Sequence, residues 1–259
     1  MQPLVDAIVQ ARMTSKRLPG KVLLPLAGIP VLRHVVTRLE KCVSVGRIIV
    51  ATSTESSDDP IAQLADEIGI HVFRGSLDDV LGRYRQASTT FGVSDILRIT
   101  ADCPAIDPAI IDEVVVRYFN GSFDYFGLGG EFPNGLDCTV ISAAALEKAE
   151  ALAVRKSDRE HVGPYIERHP ESFRIGAYSP FTGQYHHRWT LDEPEDYQLL
   201  TAIFETLFPG NPVFGHREIL KLLQDRPELL RVNAGVTRNE GYLKSIRDEE
   251  LDPNDATSP

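Results

Sequence analysis

Short β-rich runs alternate with helical stretches through the first half of this chain, and that alternation constrains the fold more than any other feature of the sequence. Strands separated by helices pair in parallel, because a parallel neighbour requires a crossover long enough to hold a helix. Five such runs are read, at 4–9, 47–52, 71–73, 95–100 and 123–126, with helices expected at 30–41, 60–68, 78–91 and 108–119. Asp and Pro stand at several of these helix starts, where a carboxylate can accept from orphan amides and Pro suits the first turn. The expected class is α/β, a three-layer α/β/α arrangement around a mostly parallel sheet.

From Gly127 the pattern changes. Gly127, Gly129, Gly130 and Pro133-Asn134-Gly135 are turn-makers around short extended pieces, which reads as a hairpin insertion. Further helices are expected at 143–151, 158–168, 194–208 and 217–223, and strands at 173–178 and 185–191. The polar, acidic end of the chain from Arg247 reads as a disordered tail, leaving 1–246 as one domain. No apolar stretch approaches the ~20 residues of a membrane helix, and Met1-Gln2-Pro3-Leu4 lacks the basic-then-apolar pattern of a secretory signal, so a cytoplasmic protein is expected. Cys42, Cys103 and Cys138 are odd in number and far apart, which predicts reduced thiols rather than a disulfide framework.

The 27 Lys and Arg against 37 Asp and Glu give a net charge of −10, which argues against binding nucleic acid through a basic surface. Anions must therefore be bound locally. Arg12, Lys16, Arg17 and Lys21 crowd into one stretch without an acid among them, directly after the first strand, where open α/β sheets place ligand loops. The stretch is neither a G-x-G-x-x-G dinucleotide loop nor a Walker A loop, since Val22 follows Gly20-Lys21 and Ser15 stands at the first Gly position. What remains is a loop of cationic and hydroxyl side chains, Thr14 and Ser15 among them, able to neutralise a triphosphate.

The run from Ala11 to Lys21 resembles the opening of the CMP-sugar-acid synthetases, the cytidylyltransferases that activate 3-deoxy-octulosonate and sialic-type acids. Its likeness is greatest to the spore coat polysaccharide biosynthesis cytidylyltransferases. Further matching segments are Asp78 to Tyr84, Thr100-Ala101-Asp102-Cys103-Pro104, Pro133 to Asp137, Arg159-Glu160-His161, Arg188 to Tyr197 and Asn239 to Tyr242. The resemblance implies a nucleotide-diphospho-sugar transferase-like fold, a homodimer, and a triphosphate held by Arg12 and Lys21. It also implies a metal site at Asp102 and Asp192. Both aspartates follow apolar strands and can meet at one sheet edge, and Mg2+ favours one or two carboxylates while keeping phosphates and water as its other ligands.

Thr100 stands where the octulosonate enzymes carry a Gln, so the amide that could read a pyrimidine edge is replaced by a hydroxyl. Gln10, Ala11 and Arg83 are the other candidates for nucleotide contacts. For the acceptor, Asn134, Asp137, Arg159, Glu160 and His161 are the candidates, although Thr139 replaces a Glu of the family pattern. His186-His187 is a weak zinc candidate, because neighbours on a strand point to opposite faces. Trp189, Tyr197 and Phe204 are candidates for a dimer contact, with core packing the preferred use of at least two. The expected activity is Mg2+-dependent transfer of CMP from CTP to an acidic sugar with release of pyrophosphate. The alternatives are a nucleotide-sugar-dependent glycosyltransferase and a catalytically silent nucleotide-binding scaffold.

Overall fold

Val, Ile and Ala on both faces of the central strands dictate a sheet buried on both sides, as parallel sheets are. The computed structural model describes residues 4–251. Its strands are β1 (Val5–Gln10), β2 (Pro25–Leu26), β3 (Ile29–Pro30), β4 (Val45–Ser53), β5 (His71–Gly75), β6 (Asp95–Thr100), β7 (Tyr125–Leu128), β8 (Thr139–Ser142) and β9 (Ile175–Tyr178). Seven of them form one sheet in the order β5-β4-β1-β6-β8-β7-β9, and β2 pairs only with β3. Within that sheet β8 runs antiparallel to both of its neighbours, and every other pairing is parallel. The antiparallel β7–β8 pair is the expected hairpin.

The helices are α1 (Val31–Leu39), α2 (Asp59–Glu67), α3 (Val80–Phe91), α4 (Pro108–Gly121), α5 (Ala143–Leu152), α6 (Lys156–His161), α7 (Pro164–Glu167), α8 (Pro194–Leu207), α9 (His216–Asp225) and α10 (Glu240–Leu251). On one sheet face Val9, Val50, Leu97 and Ile99 pack against Leu32 and Val36 of α1 and Ile111 and Val115 of α4. On the other, Ile8, Ile49, Ile96 and Ile141 meet Leu81 and Tyr84 of α3 and Leu146 of α5. A third cluster joins Trp189, Leu200, Phe204 and Phe214 beside these layers. Trp189 and Phe204 are thus core residues and not contact surface.

Several boundaries differ from expectation for identifiable reasons. The helix expected at 158–168 is two short helices, because Val162 takes a positive φ of 68° between α6 and α7. Asp79, not Asp78, caps α3 through the Gly82 amide. The strand expected at 185–191 is absent: Arg188 makes only an isolated bridge to Asn134. There Gly135, at φ 104°, lies so close that an added Cβ would meet the Trp189 carbonyl carbon at 2.5 Å, so the two backbones touch once and part. Off a strand, the His186 and His187 rings are not on opposite faces; their centroids are 4.0 Å apart. Residues 247–251, expected in a disordered tail, are the end of α10; the rest of that tail lies outside the described residues. No residue of α10 is buried, and it is tied to α6 by Ser157–Glu249 and Ser245–Glu160 hydrogen bonds, which hydropathy cannot reveal. No helix among the described residues is long and apolar enough to cross a membrane. The three cysteines are free and buried.

Burial holds the imidazoles of His34, His161 and His187 in their neutral form, with His187 pushed down to about 4 by burial and by the charge of His186. The unfolded chain protonates such a group near 6.5, so between the two values the unfolded state carries the extra proton and stability falls with pH. Urea titrations should show unfolding free energy declining as pH drops from about 6.5 toward 4, and His187→Leu should flatten that decline by roughly 2–4 kcal/mol. An unchanged slope would remove His187 from the account.

Candidate active site

The loop leaving β1 is fixed before any ligand arrives. Asp58, fully buried ahead of α2, accepts from the Met13 amide at 2.8 Å, from the Ser53 amide at 3.1 Å and from the Thr52 hydroxyl at 3.0 Å. The Met13 carbonyl then accepts from the Ser15 and Gly20 amides, both at 3.0 Å, and the Ser15 hydroxyl accepts from the Leu18 amide. Gly20, at φ 70°, turns the chain into a short 3-10 helix that carries Lys21 inward. Its place just before α2 marks Asp58 in the sequence as no more than a helix-start residue and gives no sign that it anchors the loop.

Lys21 is the point on which three distant segments close. Its ammonium donates to Asp102 Oδ2 at 2.6 Å and to Asp192 Oδ1 at 2.7 Å. Asp102 arrives at the carboxyl end of β6, and the Asp102 carbonyl accepts from the Leu191 amide at 2.8 Å, which sets the two acidic segments side by side. Burial would push Asp102 up and Lys21 down; their mutual charge and hydrogen bond outweigh it, holding the carboxyl below its usual range and the ammonium above. The expectation that Lys21 faces phosphate is thus modified: here it bridges the two carboxylates expected to hold metal. Among the described residues no group of three or more His, Cys, Asp or Glu converges as a metal cluster, His186 and His187 included.

Asp192 is oriented by a second ion network. Arg188 donates to Asp192 Oδ2 at 2.9 Å and also grips Asp196, through Nε to Oδ1 and Nη2 to Oδ2, both at 2.9 Å. Asp196 is fully buried and further accepts from the Asp192 and Glu193 amides, each at 3.0 Å, and from Asn233 at 2.8 Å. It therefore caps the start of α8 while fixing the arginine, and it is not aimed at the Lys21 point. Arg17 adds contacts to Asp192, Glu193 and Glu240 from the loop side.

The remaining candidates divide. Arg12 meets Glu160 at 3.5 Å, Glu160 accepts from Ser245 at 3.0 Å, and His161 lies 3.1 Å from the same hydroxyl, so α10 joins the acceptor candidates. Asp137, whose carboxyl burial pushes up, accepts from the Gly135 amide at 2.8 Å, beside the buried Asn134. Thr14 is exposed. Thr100 shares its hydroxyl with the Cys103 thiol at 3.2 Å. Three expectations are corrected. Arg83 is buried under the loop after β5 and donates to the Ser76 and Leu77 carbonyls instead of facing a nucleotide. The Ala11 amide and Gln10 carbonyl are used by Ala51 and Ala101 in extending the sheet, so they are not free to read a base. Arg159 turns to Asp79 and Glu150, away from Arg12 and Glu160, because the α3–α5 side offers it two carboxylates.

A fold with this sheet order and an acidic pair closed on a loop lysine defines a class, and comparison supplies the family. The cytidylyltransferase family model matches residues 7–225, and the chain belongs to that family. An uncharacterised protein of Methanocaldococcus jannaschii is 35% identical over 240 residues, 92% of this chain and 97% of that protein. The spore coat polysaccharide biosynthesis protein SpsF of Bacillus subtilis is 31% identical over 229 residues, 85% of this chain and 94% of its own. A solved cytidylyltransferase from Leptospira borgpetersenii superposes with a TM-score of 0.83 at 30% identity, over 88% of this chain and 97% of that one. The nucleotide-diphospho-sugar transferase-like fold is therefore observed, and the protein is a nucleotidyltransferase rather than a glycosyltransferase.

Asp196→Asn removes one charge of a buried pair and leaves Arg188 with only the half-buried Asp192 to balance it. It should cost roughly 3–5 kcal/mol of stability by denaturant titration. Gly135→Ala forces a clash at the Asn134–Arg188 bridge and should lower the melting temperature, with a penalty of at least ~2 kcal/mol.

Proposed function

We propose that this chain transfers CMP from CTP to an acidic sugar, releasing pyrophosphate, in the synthesis of a surface polysaccharide or glycoconjugate, with Mg2+ as its cofactor. The observation that carries the reading is the convergence of Lys21, Asp102 and Asp192 on one point beside a cationic loop. The pathway follows the printed name of the Bacillus subtilis relative. The reading places the activity in one domain that runs through the end of α10 at Leu251, in the cytoplasm where CTP is made, and in a homodimer.

The donor set fits Mg2+. Two carboxylates aim one oxygen each at a single centre of positive charge, and this ion favours one or two protein carboxylates with phosphates and water completing its shell. Bound there it would neutralise charge on the reacting phosphates. The protein's own part is positional. Lys21 and Arg12 exchange their carboxylate partners for phosphate oxygens, Thr14 and Ser15 border the same loop, and Thr100 faces the base from the end of β6. Asn134, Asp137, Glu160 and His161 hold the acceptor so that its hydroxyl attacks the α-phosphorus in line and pyrophosphate departs. Orientation and charge neutralisation supply the catalysis without a covalent enzyme intermediate.

Pyrophosphate release should be measured with each of the four nucleoside triphosphates across a panel of acidic and neutral sugars. The expected result is turnover with CTP and an acidic sugar alone, dependent on Mg2+. Asp102→Asn and Lys21→Ala should each lower kcat by about 100-fold or more, on the scale of losing one electrostatic group at a reacting centre. Unchanged turnover in both variants would discard the site, and triphosphate binding without turnover on any acceptor would discard the activity.

A further inference from the structure

Arg98 is a cation that neither the loop nor the paired carboxylates use. It stands on β6 opposite Ile8 of β1 and Thr139 of β8, two residues before Thr100, so alternation puts its side chain on the same sheet face as Gln10 and Thr100. Its guanidinium donates to Gln10 Oε1 at 3.2 Å, and its Nε is buried without a hydrogen-bond partner. Arg12, Arg17, Lys21 and Arg188 each pair with a carboxylate; among the described residues Arg98 pairs with none. A guanidinium has five donors in a rigid fork, and half-burying it with so few of them used leaves desolvation uncompensated.

The surroundings say which anion completes it. Arg98 stands in register with Thr139 of the hairpin strand β8, and its charge disfavours protonation of His161 and favours ionisation of Asp137, Tyr125 and Tyr84. Of these, His161 and Asp137 are acceptor candidates, whereas the triphosphate has Arg12, Arg17 and Lys21 on the loop. Gln10 holds Nη2 from one side, leaving the Nη end of the half-buried fork for a planar partner with two oxygens.

We propose that Arg98, steadied by Gln10, binds the carboxylate of the acceptor sugar and thereby selects acidic sugars over neutral ones. The inference rests on the transfer to an acidic sugar set out above. The fork of an arginine matches a carboxylate bidentately in a way that a lysine cannot.

The test uses the full chain with CTP and two probe pairs: 3-deoxy-manno-octulosonate and N-acetylneuraminate, each beside its C1 amide. Arg98→Met should raise KM for the transferred acid by about 30-fold, the scale of one charge-assisted pair, while leaving the calorimetric affinity for its amide and KM for CTP within about twofold. Calorimetric affinity for the acid should fall by a similar factor. Arg98→Lys should lie between the two, and Gln10→Ala, which leaves the charge but frees the fork, should weaken the acid and not the amide. Equal losses on acid and amide, or a rise confined to KM for CTP, would overturn the assignment and in the latter case give Arg98 to the phosphates. Failure of the wild-type protein to use any acid would instead overturn the activity on which the assignment rests.

Discussion

Two carboxylates can point at one another's territory only if a cation stands between them, and here that cation is the Lys21 ammonium. Without it, Asp102 and Asp192 would repel across a partly desolvated gap, and one of them would be driven to take up a proton. The lysine thus closes the active edge of the sheet: it ties the loop after β1 to the end of β6 and to the start of α8. A centre of positive charge is built into the resting molecule, and any ligand that draws Lys21 away must leave another in its place.

That closure depends on charges further back. Asp196 is buried without exposure and is tolerable there only because Arg188, Asn233 and two backbone amides supply its hydrogen bonds. Arg188 passes the constraint forward to Asp192. Asp58 does the same for the loop, holding Met13 so that Gly20 can turn Lys21 inward. Removing one member of such a network strands a charge in a low-dielectric interior, which is why these residues cannot be exchanged singly even though none faces the Lys21 point.

The sheet was legible because its signal is repetitive: β1, β4 and β6 announce themselves by apolar runs and by the helices between them. The pairing of Asp102 with Asp192 was legible through the ordered motifs around them. Arg83 was not, since a motif arginine gives no sign of whether it faces a ligand or, as here, a pair of loop carbonyls. Nor was α10, whose contacts to α6 are polar and leave no hydropathy trace. Arg98 was hidden for the opposite reason: inside a strand of Ile and Leu it looks like an interruption, and only the sheet register shows it beside Gln10 and Thr139.

The arrangement of charges explains how a chain of net charge −10 can take a polyanion. Arg12 rests on Glu160, Arg17 on Asp192 and Glu193, and Lys21 on Asp102 and Asp192, so the cations are neutralised internally until a ligand arrives. A bare anion that captured these side chains would leave the carboxylates facing one another. A bare cation that captured the carboxylates would leave a buried ammonium without a partner. Only a ligand bringing both signs at once can exchange every pair without stranding a charge, and a nucleoside triphosphate with its counter-cation is such a ligand. The cost of partial exchange discriminates against simple anions and simple cations alike, so selectivity begins with the resting ion pairs before any base or sugar is read.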